Sequence, residues 1–184
     1  EEIKPNPLPS INQEVKVDVI WSKKIGKGAD DRAVRIRPAI SGGRIFAASA
    51  DGSIKALTAD TGQVIWDAQI KRFYSKDELA QGFTKDLDAI TGGVGAGGDI
   101  VVVGTASGDV IAINQSDGTL AWKTATSSEV LAPPQIDGDL VILQTIDGKV
   151  TAYDAIDGES RWVYMMNTPP LTLRGTATPM IRDE

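Results

Sequence analysis

The residues able to do chemistry in this chain are limited in kind, because it contains neither cysteine nor histidine. This excludes thiol nucleophiles, histidine acid–base catalysis, disulfides and metal sites built on either residue. The remaining candidates are carboxylates, and Asp77, Glu78, Asp86 and Asp88 fall in one polar segment. Their spacing is not that of an ordered calcium loop. We therefore expect no metal site and no cofactor.

A second set of polar residues stands in or beside short turns that contain glycine. These residues are Asp60, Asn114 and Asp154. A short polar side chain at a turn satisfies nearby backbone groups by hydrogen bonding. We predict this local role for all three, and no catalytic residue in the chain.

One segment, PPLTLRGT at 169–176, combines apolar and cationic side chains. Leu171 and Leu173 are two residues apart and so share one face of an extended strand. Burying them against a partner would contribute about 1.5–3 kcal/mol each, and Arg174 offers five donors for a carboxylate or for carbonyls. On residue types alone, the alternative is that both leucines pack inward and Arg174 caps a neighbouring strand.

The bulk properties exclude several classes of protein. The chain has 184 residues, of which 41% are hydrophobic and 24% charged, as in globular proteins. Its net charge is -6, and it lacks the clustered cations that a nucleic-acid partner requires. No apolar run reaches the roughly 20 residues of a membrane span. The first residues do not resemble a signal peptide, so we expect any targeting signal to have been removed or never present.

The chain repeats one pattern three times: a turn glycine, a second glycine ten residues later, and a tryptophan four residues after that. The copies are Gly52, Gly62 and Trp66, then Gly108, Gly118 and Trp122, then Gly148, Gly158 and Trp162. Between the glycines, apolar and polar residues alternate as in half-buried strands. Each copy also follows an apolar run. The pattern predicts about four strands per unit, with the tryptophans filling the wedges between neighbouring sheets.

The spacing of 40 residues between Trp122 and Trp162 is typical of a β-propeller blade. We predict an all-β fold: a partial β-propeller of four-stranded antiparallel blades, with about three full blades. Trp21 ends a strand of an incomplete blade before them, and Pro179 opens another after them. The predicted parts are an extended tail at 1–14 and a partial propeller at 15–184, with blades at approximately 33–70, 89–126 and 129–166 and an insertion at 71–90.

Closed propellers typically contain four to eight blades. Three blades and two fragments would leave sheet faces and strand edges uncovered, which favours aggregation. We therefore expect the chain to be a fragment of a longer protein, or to associate with itself to close a ring.

The repeated signature A-x-D-x-x-[TD]-G-x-x-x-W resembles the propeller repeat of pyrroloquinoline-quinone (PQQ) proteins. Four further stretches resemble the N-terminal half of the BamB family of outer-membrane protein assembly factors. They are NPLPSI, VIWSKKIGKG, SGGRIFAASADGSIKALTADTGQVIW and PPLTLRGTATP. The resemblance covers nearly the whole chain and implies an eight-bladed ring without catalytic activity.

The resemblance also implies a partner and a location. The family is lipid-anchored at the periplasmic face of the outer membrane, through an N-terminal cysteine that this chain lacks, and it binds the POTRA domains of BamA through inter-blade loops. Unfolded outer-membrane proteins are further candidate partners. Carried over residue by residue, the contact residues are Leu171, Leu173 and Arg174. A second, acidic contact loop belongs to a later blade that is not in this sequence.

Two alternatives remain open. Quinoprotein (PQQ-dependent) dehydrogenases use the same blade motif, but often carry a vicinal disulfide that a chain without cysteine cannot form. A general periplasmic platform could bind unfolded barrel strands along exposed strand edges at DIVVVGT or DLVILQT. Both runs are typical of interior strands, which argues against edge binding.

Overall fold

The computed structural model describes residues 15–29, 34, 36–80, 89–166 and 177–182. This part of the chain forms three four-stranded antiparallel sheets, in each of which strands that follow one another in the sequence are neighbours. The predicted all-β fold class, a partial propeller of four-stranded blades, is confirmed.

Each sheet is one blade. Blade 1 comprises β1 (Ala39–Ser41), β2 (Arg44–Ala48), β3 (Ser53–Thr58) and β4 (Val64–Gln69). Blade 2 comprises β5 (Ile90–Gly97), β6 (Ile100–Thr105), β7 (Asp109–Asn114) and β8 (Leu120–Ala125). Blade 3 comprises β9 (Gln135–Asp137), β10 (Leu140–Gln144), β11 (Lys149–Asp154) and β12 (Ser160–Met165). A 3₁₀ turn (Ile70–Phe73) and the short helix α1 (Lys76–Ala80) follow blade 1.

The tryptophan of each blade stands opposite a small residue on the neighbouring strand. Ala56 pairs with Trp66, and Ala112 and Ala152 pair with the tryptophans of the other two blades. In all three blades the pairing shifts immediately after that alanine. A side chain paired across two strands shares a face with its partner, so the alanine leaves room for the indole.

Because the strands form antiparallel meanders, successive turns lie at opposite ends of a blade. We call the end that carries the first and third turns of each blade the hairpin rim. The opposite end, with the second turns and the connections between blades, is the connection rim. The turns of the hairpin rim are 42–43, 59–63, 98–99, 115–119, 138–139 and 155–159.

The core lies between the blades. In the first seam, Phe46, Ile54 and Trp66 of blade 1 pack against a cluster on blade 2 that includes Val101 and Val103. In the second seam, the opposite face of blade 2 packs against blade 3 through a separate buried cluster. Successive β-strand residues face opposite sides, so β6 is buried along its whole length, with alternate residues in each seam.

The strand-edge alternative concerned β6 and β10. β6 pairs with β5 and β7, and β10 pairs with β9 and β11. Their backbone groups are therefore used within the blades, as expected for interior strands.

Trp162 differs from the prediction made for it. Trp162 was predicted to fill a wedge between two sheets, but it is 44% exposed, whereas Trp66 and Trp122 are 8% and 6% exposed. Every residue of β12 is exposed. Within the described residues no further blade packs against this face of blade 3. The indole ring of Trp162 therefore has no neighbouring sheet to pack against.

Candidate functional site

The predicted partner-binding residues Leu171, Leu173 and Arg174 lie outside the described residues, as do Asp86 and Asp88. β12 ends at Met165, and the N–H of Met166 donates to the carbonyl of Gly148 at 2.9 Å. Met166, the last described residue before these positions, therefore lies at the connection rim.

At the hairpin rim, each seam is held by an indole hydrogen bond. Trp66 Nε1 donates to the carbonyl of Gln115 in the next blade at 2.8 Å. Trp122 Nε1 donates in the same way to Ala155 at 2.9 Å, and Trp21, which precedes blade 1, donates to Ala59 at 2.9 Å. The acceptors are backbone carbonyls at the same position of their blades, so one contact is repeated three times.

The second glycine of each repeat makes this contact possible. Gly118 has φ +74, in the left-handed region, and a Cβ there would lie 2.8 Å from the Trp66 ring. Gly62 and Gly158 stand in the same relation to Trp21 and Trp122. The turn needs glycine both for its backbone angle and for the close approach of the ring.

At the connection rim, a carboxylate in each blade accepts a hydrogen bond from the connection that precedes it. Asp147 accepts from Ser127 Oγ at 2.7 Å. Asp109 accepts from Tyr74 OH at 2.7 Å, and Asp51 accepts from the N–H of Lys27 at 3.1 Å. Each blade is thus held to the preceding chain at both rims.

Hydrogen bonds at this rim lower the pKa values of Asp51 and Asp147. Burial by itself would raise the pKa of Asp51, but hydrogen bonds from Ser53, Ser49 and the Lys27 N–H leave it below the ordinary value of 3.8. Burial likewise would raise the pKa of Asp147, and hydrogen bonds from Thr145, Ser127 and Lys149 lower it overall. Both groups are stabilised in the charged form.

The described part of the insertion packs onto blade 2. Phe73 is buried in the first seam, and Lys123 Nζ lies 4.0 Å from the centre of the Tyr74 ring. Glu78 accepts from Lys123 and from the N–H of Ser75, and these bonds lower its pKa to about 2. Glu78 therefore acts in docking α1, and the described residues contain no group of three acidic side chains able to hold a metal.

The two seams differ beside the indole contact at the hairpin rim. In the first seam, the buried Gln115 side chain donates to the carbonyl of Ile100 at 3.0 Å and to Ser41 Oγ at 3.4 Å. Arg44 donates to the carbonyl of Gln115 at 3.2 Å. In the second seam the corresponding positions are Ile100 and Ala155, and an open crevice of about 370 Å³ lies there.

The turn residues behave as predicted where hydrogen bonds define their role. Asn114 Nδ2 donates to Thr119 Oγ1 across its turn at 2.9 Å. Asp154 accepts from the N–H of Ile156 at 2.7 Å and from Arg161. These contacts are local and structural.

Sequence reasoning identified the tryptophans and glycines but missed the carboxylates of the connection rim and the polar filling of the first seam. Aligning the three copies would have revealed the polar filling of the first seam, because Gln115 aligns with alanines in the other blades. No helix in the described part of the chain is both long and apolar enough to cross a bilayer.

The profile of the family described as "Outer membrane protein assembly factor BamB" matches residues 16–72 and 50–184. The chain belongs to the BamB family. The assembly factor BamB of Escherichia coli K12 is 40% identical over 177 residues, which is 96% of this chain and 44% of that protein. The chain spans 30–44% of the length of the curated BamB relatives that it matches.

Solved structures agree with this assignment. The crystal structure of BamB from Moraxella catarrhalis matches with a TM-score of 0.68 and 29% identity, covering 80% of this chain and 40% of that one. A quinohemoprotein alcohol dehydrogenase from Pseudomonas putida HK5 matches with a TM-score of 0.55 and 24% identity, covering 73% and 21%. At that identity the second likeness concerns the fold alone.

Proposed function

We propose that this chain is part of a non-catalytic scaffold subunit of the machinery that assembles β-barrel proteins in the outer membrane. Membership of the BamB family carries the proposal. The full-length protein would act at the periplasmic face of the outer membrane, held there by an N-terminal lipid.

The partner in this proposal is the POTRA region of BamA, bound through inter-blade loops of the connection rim. Leu171, Leu173 and Arg174 would supply two apolar anchors and one cation. Two observations support the choice of rim. Met166 is fixed to Gly148 there, and the connections that start at this rim are the longest in the fold, whereas the turns of the hairpin rim have at most five residues.

The test is binding to purified POTRA domains of the BamA from the same organism, measured by biolayer interferometry. Leu173→Ala and Arg174→Ala should each weaken binding at least tenfold, which corresponds to about 1.4 kcal/mol. Neither should change the melting temperature, because both side chains would face the partner.

The matched control is Leu120→Ala, which removes a leucine that is 40% exposed at the hairpin rim. It should leave POTRA binding unchanged. Full binding by both Leu173→Ala and Arg174→Ala would remove the assignment of these residues. An equal loss in Leu120→Ala would mean that the partner covers the wrong rim for this proposal.

A further inference from the structure

The crevice in the second seam is an apolar cavity open at the hairpin rim. Ile100 and Ile136 are part of its wall, with Ala121 and Ala155 beside them. Ile100 is 8% exposed, whereas Ile156, also in the lining, is 83% exposed. Its volume of about 370 Å³ falls at the lower end of the range of pockets that hold small ligands.

The crevice is a specific departure from the repeat. In the first seam the same place is occupied by Gln115 and Arg44. Arg44 donates to the Gln115 carbonyl across the seam, and the Gln115 side chain donates to Ser41 Oγ of blade 1. Blade 2 has Ile100 where blade 1 has Arg44, and blade 3 has Ala155 where blade 2 has Gln115. The indole contact is kept in both seams, so the cavity arises from the side chains and not from separation of the blades.

The mouth of the crevice is negatively charged. Asp99 and Asp139 line it, and both are exposed. Neither carboxylate forms an ion pair within the described residues; the nearby Arg161 interacts electrostatically with Asp139 but is paired with Asp154. The hairpin-rim turns carry no lysine or arginine at all. Their charged residues are Asp60, Asp99, Asp117, Asp139, Asp157 and Glu159.

We propose that this crevice binds a protein segment in which an apolar side chain is flanked by lysine or arginine. The apolar side chain enters between Ile100 and Ile136, and it also covers the exposed Ile156. The flanking cations pair with Asp99 and Asp139 on the two turns at the mouth. The apolar wall requires an apolar side chain in the bound segment. The acidic mouth favours a segment with flanking cations over a neutral or acidic one. The surface lies at the opposite rim from the proposed POTRA contact and does not depend on it.

The probe is a fluorescein-labelled peptide Gly-Ser-Lys-Leu-Lys-Ser-Gly, titrated with the chain at low ionic strength and followed by fluorescence anisotropy. Two analogues separate the contributions. One replaces the leucine by serine, and the other replaces both lysines by glutamate. Saturable binding is expected for the first peptide, at least tenfold weaker binding for the serine analogue, and none for the acidic analogue.

Two variants of the chain test the site. Ile100→Arg combined with Ala155→Gln rebuilds the filling of the first seam and should weaken binding at least tenfold; Ala155→Gln alone serves if the double variant does not fold. Asp99→Asn combined with Asp139→Asn should weaken binding about tenfold at low salt and remove most of its salt dependence. Asp60→Asn, in a blade 1 turn of the same rim, is the matched control and should change little.

Three results would overturn the proposal: no saturable binding by the unaltered chain, equal binding of the lysine and glutamate peptides, or full binding by a folded variant with the crevice filled. Leu173→Ala should leave peptide binding intact. The peptide test and the POTRA test can therefore fail separately.

Discussion

The first and second seams are built on the same framework and finished differently. In both, an indole N–H donates to a backbone carbonyl of the next blade and the ring lies against a turn glycine. In the first seam the neighbouring space is filled by Gln115 and Arg44, whereas in the second it is left open between Ile100 and Ala155. Blade stacking therefore depends on the repeated contact, and the side chains around it are available for other uses.

The energetics of the two seams differ in kind. A buried amide such as Gln115 stabilises only while its hydrogen bonds to the Ile100 carbonyl and Ser41 are made. The second seam has apolar groups at the corresponding positions and carries no such requirement. Instead, the second seam leaves apolar surface near solvent, and a ligand that buried this surface would gain binding free energy.

The largest expected effect comes from removing the framework itself. Trp66→Ala should destabilise the chain by about 3–5 kcal/mol, because a buried ring is replaced by a cavity in the first seam. Trp162→Ala, at the uncovered face of blade 3, should cost less than half as much. Urea unfolding followed by circular dichroism measures both. Equal losses would mean that the seam contact is not what makes Trp66 important.

An intermediate effect is expected from exchanging the filling. Gln115→Ala should destabilise the chain by about 1–3 kcal/mol, since it removes the hydrogen bonds of a buried amide to the Ile100 carbonyl and Ser41 and empties its place in the seam. The reciprocal change, Ala155→Gln, places the amide in an existing space and should alter stability by about 0.5 kcal/mol or less. Urea unfolding measures the change in the free energy of unfolding for both variants. A larger loss for Ala155→Gln than for Gln115→Ala would contradict the proposed difference between the two seams.

The smallest effect concerns the carboxylates of the connection rim. Asp147→Asn should cost about 1 kcal/mol or less at neutral pH, by weakening its hydrogen bonds to Ser127 and Thr145. The folded pKa of Asp147 lies below its ordinary value of 3.8. Its charge-dependent stabilisation is therefore complete above that value and is lost as the pH falls below it through the folded pKa.

Melting temperatures of the unaltered chain and of Asp147→Asn, measured from neutral pH to pH values well below 3.8, test this sign. The difference between them should shrink on acidification. Asp60→Asn is the control, because the Asp60 turn lies at the opposite rim. A difference for Asp147→Asn that grows in acid would show that the carboxylate is not stabilised in its charged form.

The sequence was sufficient to predict the blades because its main signals are local. Strand alternation, turn glycines such as Gly118 and a tryptophan at a fixed distance each act within one blade, and three copies reinforce one another. The predicted loop residues around Leu173 came from the family resemblance and stay a prediction.

The features that were missed are contacts between blades. The acceptor for Trp66 is a main-chain carbonyl. Every residue has such a carbonyl, so the residue types in the sequence cannot predict which one accepts. The pairing of Tyr74 with Asp109 joins two elements 35 residues apart. The exposure of Trp162 depends on what lies beside blade 3, and a motif read within one copy carries no information about the neighbouring blade.

The acceptors of the three indole hydrogen bonds have one further consequence. Ala59, Gln115 and Ala155 offer the same carbonyl whatever side chain they carry. Mutation at these positions can therefore change the side chains beside a seam without removing the indole hydrogen bond itself, because the acceptor belongs to the backbone. In a propeller assembled in this way, the side chains beside one seam can change and acquire a new ligand while the indole contacts of the other seams are kept.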